Sequence, residues 1–163
     1  MDKIALLGPE YSYSHLLGRK IFSREELVLY SRIEEIFSAV VEQRAAKGII
    51  PLENMLQGSV RESIMGLLKN KDKVKINHGY TMPIRHCLAA KNKNYIRIVS
   101  HPQALAQCSI FVARKEAIES SSTSKAMEMA AQDESLAALG SVEAAEGYGL
   151  NINAVRDLAN RGT

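Results

Sequence analysis

The sequence has no tryptophan, only two cysteines, and no apolar run that approaches the roughly 20 residues needed to span a bilayer. A disulfide framework is therefore excluded as the organising principle, and Cys87 and Cys108, in apolar surroundings and at no metal-ligand spacing, are expected to be buried reduced thiols. Signal-peptide features are missing, because Met1-Asp2-Lys3 runs straight into the strand-like Ile4-Ala5-Leu6-Leu7, so the expected location is the cytoplasm, with no membrane partner. The chain has neither G-x-x-x-x-G-K-[ST] nor G-x-G-x-x-G, which leaves ATP and dinucleotide cofactors without support. His15, His78, His86 and His101 form no H-x-x-x-H pair and no Cys/His ligand set, so neither a metal nor any other cofactor is expected. His86 and Cys87 are adjacent in an extended segment and point to opposite faces, so they are not read as a nucleophile pair.

Charge also excludes more than it supports. The net charge is +3 with a pI near 8.9. Lysines cluster in Lys69-Asn70-Lys71-Asp72-Lys73 and Lys91-Asn92-Lys93-Asn94, but both runs lie in turn-like segments without interleaved aromatics or an arginine-rich helix. They read as solvated loops and not as a nucleic-acid surface. A modest positive field does suit a dianionic small molecule.

What is present is an alternation. Short apolar runs at Ile4–Leu7, Leu27–Tyr30 and Gly48–Ile50 are each followed by a stripe at helical spacing: Tyr13, Leu16, Leu17 and Ile21; then Ile33, Ile36, Phe37, Val40 and Val41; then Val60, Ile64, Leu67 and Leu68. The order is βαβαβα. From Val74 onward the theme returns with extended segments at 82–84 and 88–90, a strand at Ile96–Val99, a helix opened by Pro102, a helix after Ser122-Thr123, a strand at Leu136–Leu139 and a short helix from Ser141 ended by Gly149. The expected fold class is α/β in two lobes, with mostly parallel sheets and helices on both faces. Residues 1–75 plus 151–163 are expected to form lobe 1 and residues 76–150 lobe 2.

The most informative stretch is Val99-Ser100-His101-Pro102-Gln103-Ala104-Leu105-Ala106-Gln107-Cys108. Pro102 is preset for a first helical turn, which puts Ser100 or His101 at the N-cap. Free backbone N–H groups and the positive end of the helix dipole then favour a carboxylate or phosphate, with Ser100, His101 and Gln103 beside it. An ordinary capped helix is the competing reading for any single loop. Four loops share this character, each after a buried strand and before a helix: 8–14, 51–60, 100–103 and 120–123. Several helix N-termini converging on one small carboxylate are what a cleft lined by such loops offers.

Taken in order, these loops resemble the catalytic domain of the prephenate dehydratase family, and the resemblance runs the length of the chain. Gly8-Pro9-Glu10-Tyr11-Ser12-Tyr13-Ser14 is similar to G-P-x-G-T-[YF]-S, and Pro51-Leu52-Glu53-Asn54-Met55-Leu56-Gln57-Gly58-Ser59-Val60 to P-x-E-N-S-x-x-G-x-V. Ile84 to Leu88 resembles P-I-x-H-x-L, Ser100 to Cys108 resembles S-H-P-Q-A-L-x-Q-C, and Ser122-Thr123 an S-T helix start. The close, Asp157 to Thr163, is similar to D-x-x-N-x-x-T-R-F.

The resemblance implies a two-lobed fold like a type II periplasmic binding protein, a homodimer, and a substrate, prephenate, held between lobes. It implies a cofactor-free decarboxylative dehydration to phenylpyruvate, CO2 and water. Thr163 would be the catalytic residue, while Ser12, Asn54, Gly58, Ser100, His101, Gln103 and Thr123 would bind substrate. Tyr11 stands where the pattern has glycine and Met55 where it has serine. The sequence stops at Thr163, before the Arg-Phe of the pattern, and contains no regulatory ACT domain. A relative that decarboxylates without dehydrating, an arogenate dehydratase, or a noncatalytic carboxylate-binding module are the alternatives.

Overall fold

A strand with neighbours on both edges and cover on both faces must be apolar at every position, and Ile4, Ala5 and Leu6, exposed by 1% or less, meet that condition. They form the middle of β1 (Lys3–Leu7). The computed structural model describes residues 2–23, 25–54 and 58–157, and internal contacts divide the chain into two units between Thr81 and Met82.

In the first unit β1 is followed by α1 (Tyr13–Ile21), β2 (Glu26–Tyr30), α2 (Ile33–Val41), β3 (Lys47–Ile49), the short pair β4 (Glu53–Asn54) and β5 (Gly58–Ser59), and α3 (Arg61–Lys69). Strand order is β2-β1-β3, all parallel, with Ile4 opposite both Leu27 and Lys47. Ile33, Ile36, Phe37 and Ala39 turn the apolar face of α2 inward, and Ala5, Ile36, Ala39 and Ala45 form a buried cluster. Helix α2 ends in a Schellman arrangement: Gln43, at φ 58°, donates to Val40 O, and Arg44 N donates to Ala39 O. Helix α3 approaches α2 so closely that a methyl at Gly66 would lie 2.2 Å from the Phe37 ring.

The second unit contains β6 (Arg85–Ala90), β7 (Arg97–Ser100), α4 (Pro102–Gln107), α5 (Ser109–Val112), β8 (Glu116–Glu119), α6 (Thr123–Gln132), β9 (Leu136–Gly140), α7 (Val142–Gly147) and β10 (Asn151–Asp157). The sheet order is β10-β6-β9-β7-β8. Strands β9, β7 and β8 run parallel, while β6 pairs antiparallel with both β9 and β10. Leu88, Ala90, Ile98, Leu105, Cys108, Ala137 and Leu139 form the core cluster. Both cysteines are buried free thiols.

The α/β class with mostly parallel sheets read from the sequence is the class observed. The chain path differs at two points. Residues 151–157 were expected to return to the first lobe, whereas β10 pairs along β6 in the second unit. The cause is local: Gly149, at φ 69°, closes α7 with Gly149 N on Glu146 O and Leu150 N on Ala145 O, so the chain reverses at once onto the free edge of β6. The division at 81/82 likewise lies beyond the expected 75/76, because residues 74–84 carry no helix or strand that would mark a boundary.

Two consequences are measurable. Gly66→Ala forces the Phe37 ring out of its contact and is expected to cost about 1–3 kcal/mol by urea denaturation; an unchanged midpoint would refute the close α2–α3 approach. Burial pushes the His86 imidazole down to about 4. The unfolded chain then binds the proton first as pH falls, so stability present above 6.5 is lost between 6.5 and about 4, on the order of 3 kcal/mol for this group. Stability measured against pH should fall less steeply in His86→Gln over that range, and equal slopes would remove His86 as the cause.

Candidate functional site

Parallel neighbours place the starts of their following helices at one end of a sheet, the end where α/β proteins bind ligands. In the second unit β7 leads into α4, β8 into α6 and β9 into α7. Each helix is capped from this end. His101 Nδ1 accepts from Gln103 N at 3.3 Å, Ser122 Oγ from Lys125 N at 3.0 Å, and Ser141 Oγ from Ala144 N at 3.1 Å. With His101 Nδ1 as the acceptor, Nε2 is the ring nitrogen left to donate.

These three loops are tied to one another. Ser100 Oγ donates to Leu139 O at 2.6 Å, fully buried, and Ser100 O accepts from Ser120 N at 2.9 Å. Gly140 lies so close to the start of α6 that a methyl there would be 3.1 Å from Thr123 O and 3.0 Å from Met127 Cε. Four predicted residues, Ser100, His101, Gln103 and Thr123, therefore stand at one end of one sheet. Their roles differ from a simple row of donors. The hydroxyl proton of Ser100 is committed to Leu139 O, and the helix cap is His101, not Ser100. Gln103 Nε2 is buried without a hydrogen-bond partner, the one sequence-predicted site residue among the described residues in that condition. An unmatched buried amide is costly unless a ligand accepts from it.

In the first unit Ser12 caps α1, accepting from His15 N at 3.2 Å and donating to Leu7 O at 2.9 Å. Gly58, at φ 76°, pairs with Asn54 across the β4–β5 hairpin. Ser63 fixes the entry to that hairpin by donating to Pro51 O at 2.6 Å. Thr163 lies outside the described residues, as does Met55.

Two participants escaped the sequence reading. Ser141 was read only as a helix start, yet its loop follows β9 at the same end of the sheet as His101 and Thr123. His15, considered there only as a metal ligand, accepts the Tyr11 N–H through Nδ1 at 2.8 Å. Their spacing of four residues was visible in the sequence, but the turn that brings them together was not.

A groove of about 850 Å³ between α2 and α3, lined by Phe37, Val41, Met65 and Leu68 among others, contains none of the predicted site residues. Among the described residues no cluster of three or more His, Cys, Asp or Glu could hold a metal ion, and no helix is long and apolar enough to cross a membrane.

Comparison with known proteins gives a consistent family. The family model described as prephenate dehydratase matches residues 4–161. A bifunctional chorismate mutase/prephenate dehydratase from Aquifex aeolicus is 34% identical over 92% of this chain and 43% of its own length. The chain thus spans about two fifths to three fifths of the length of the curated relatives it matches. The crystal structure of prephenate dehydratase from Arthrobacter aurescens in complex with L-Phe superposes with a TM-score of 0.83 at 20% identity, covering 94% of this chain and 55% of that one. A solved chain described as a novel type of quorum quenching acylase gives a TM-score of 0.82 at 25% identity, covering 96% and 60%.

If Ser100 holds the loops together, Ser100→Ala leaves Leu139 O buried and unmatched and is expected to cost about 1–3 kcal/mol by denaturant unfolding. The exposed-side cap Ser122→Ala should cost about 1 kcal/mol. A Ser100→Ala loss no larger than that of Ser122→Ala would show that the buried bond is not the tie.

Proposed function

The chain belongs to the prephenate dehydratase family, and from that premise we propose that it converts prephenate to phenylpyruvate, CO2 and water. The observation that carries the reading is the group of tied helix starts in the second unit with the unmatched Gln103 amide at their head. A buried amide N–H without a protein acceptor suits a carboxylate, and prephenate has two.

The chemistry requires few groups. The ring C–carboxylate bond breaks, its electron pair enters the ring, and the ring C–OH bond breaks as aromaticity forms; a proton must reach the departing hydroxide. Gln103 Nε2–H and His101 Nε2–H are the donors assigned to orient substrate, with the N–H groups of α4 and α6 beside them. Thr123 joins them at the first turn of α6. Through the family pattern Ser12, Asn54 and Gly58 are also assigned to substrate binding, and Ser100 contributes by fixing the loop that carries His101. Thr163, through the family pattern, is assigned the proton or hydrogen bond to the leaving hydroxyl, an interaction strongest in the transition state. The working assembly is proposed to be a homodimer acting in the cytoplasm, and no cofactor is invoked.

No covalent step is needed, and three candidate nucleophiles are unsuited to one. Ser12 and Ser100 each donate their hydroxyl proton to a main-chain carbonyl, and burial pushes the Cys87 thiol up to about 11. This counts against transferring the acylase chemistry named for one structural relative.

The test is purified protein with prephenate, arogenate and an N-acyl amide in parallel, reading phenylpyruvate by its absorbance in alkali, CO2 release, phenylalanine and free amine. Phenylpyruvate from prephenate is the expected product. CO2 without phenylpyruvate, turnover of arogenate alone, amide cleavage, or binding without turnover would each replace this reading. Thr163→Val should lower kcat about a hundredfold with KM nearly unchanged. Gln103→Leu should raise KM about 10- to 100-fold, the loss expected for a hydrogen bond to a charged group. A KM unmoved by Gln103→Leu would take that amide out of the binding assignment.

A further inference from the structure

The turn that leads into α1 holds a tyrosine where the backbone favours glycine. Tyr11 has φ 59°, the left-handed region, which costs a non-glycine residue about 1–2 kcal/mol. Something must fix it there. Its backbone N–H donates to His15 Nδ1 at 2.8 Å, and the two rings meet edge to face with centroids 6.0 Å apart at 79°. The same turn is closed from the other side, since Ser12 N donates to Pro9 O at 3.1 Å and His15 N to Ser12 Oγ at 3.2 Å. One imidazole thus stands between the strained residue and the helix cap.

We propose that His15 is a positioning residue, whose neutral ring holds Tyr11 in the left-handed turn and thereby sets the place of Ser12 at the start of α1. Nδ1 accepts an N–H only while it is unprotonated, so the ring proton sits on Nε2 and a second proton would set a donor against a donor. Partial burial, the largest effect, lowers the pKa of His15 below 6.5; Glu10 in the same loop opposes this and Arg19 on α1 reinforces it. The strands packed on α1 bring their charge at the far ends, Lys3 on β1 paired with Glu26 on β2 at 3.7 Å, while Tyr30 closes the near end of β2 with its carbonyl on Gly8 N. Protonation therefore depends on His15, Glu10 and Arg19. The contribution of the clamp is complete above 6.5, the unfolded value, and is lost as pH falls through the lower folded value.

Gln43 provides the contrast. At φ 58° it is equally left-handed, but main-chain bonds of the helix terminus hold it, and its conformation needs no titratable partner. The Tyr11 turn also has one main-chain bond, Ser12 N on Pro9 O, but the N–H of Tyr11 itself is on a side chain that can be switched. The clamp itself stands without any activity; its consequence for substrate affinity rests on the reading above.

Amide hydrogen exchange read by NMR on the 163-residue chain tests it. In the wild type the Tyr11 amide is expected to be protected at alkaline pH, relative to its intrinsic rate, and to lose about tenfold of that protection as His15 titrates. His15→Leu should lose the protection at every pH, and with it that of the residue 15 amide on Ser12 Oγ. Tyr11→Gly with His15→Leu should recover the residue 15 protection, because glycine holds φ 59° unaided. A wild-type Tyr11 amide that exchanges as in an unfolded peptide, or with protection independent of pH, would overturn the proposal. A double variant as unprotected as His15→Leu would do so too, and should His15→Leu fail to fold, the wild-type titration alone decides. Protected Tyr11 with no turnover of prephenate would leave the clamp standing and remove the activity.

Discussion

The second unit depends on one buried hydroxyl. Ser100 ends a central strand, donates to the carbonyl of one parallel neighbour and accepts through its own carbonyl from the loop after the other. Parallel strands leave their ends free to splay, because the hydrogen-bond ladder stops where the chain turns into helix. A serine at that point continues the ladder one step past its end, in a place with no water to compete. His101, Gln103 and Thr123 keep a common place because the strand ends beneath them cannot separate. The sequence pattern that suggested a substrate donor at Ser100 thus marks a residue that organises the donors.

Small residues serve the same end by allowing close approach. Gly66 against Phe37 leaves no space for a methyl group and Gly140 against the start of α6 leaves little, and the buried alanines of β6 and β9 let helices sit low on the sheet. Low-lying helices bring their N-terminal N–H groups near the strand ends, which concentrates positive partial charge where the proposed carboxylates would lie. The arrangement is built from main-chain dipoles and caps, with the unmatched amide of Gln103 at its head.

Much of this was legible in the sequence. Apolar runs of three to five residues bounded by polar loops gave the positions of β1, β2, β3, β7 and β9, and the helical stripes after them gave α1, α2 and α3. Pro102 fixed the start of α4 through its own ring geometry. Strand β10 was not legible as a partner of β6, since Asn151-Ile152-Asn153-Ala154 alternates polar and apolar over only four residues and its pairing is decided by the reversal at Gly149. Nor was the hairpin of β4 and β5, whose two-residue strands lie below any periodic signal. Thr163, the assigned catalytic residue, lies outside the described residues, so its role stands on motif order alone.

By itself the sequence determined the alternation of strand and helix, the family, and which residues stand at the polar loops, because burial and helix capping are properties of residue type over a few neighbours. Only the tertiary structure decided what those residues do. That Ser100 spends its proton on Leu139, that Gln103 keeps an amide unmatched, and that Tyr11 leans on His15 follow from distances between segments or from a backbone angle, and no local rule fixes either. A hydrogen bond is a matter of a few tenths of an ångström, and that precision is set when strands and helices pack.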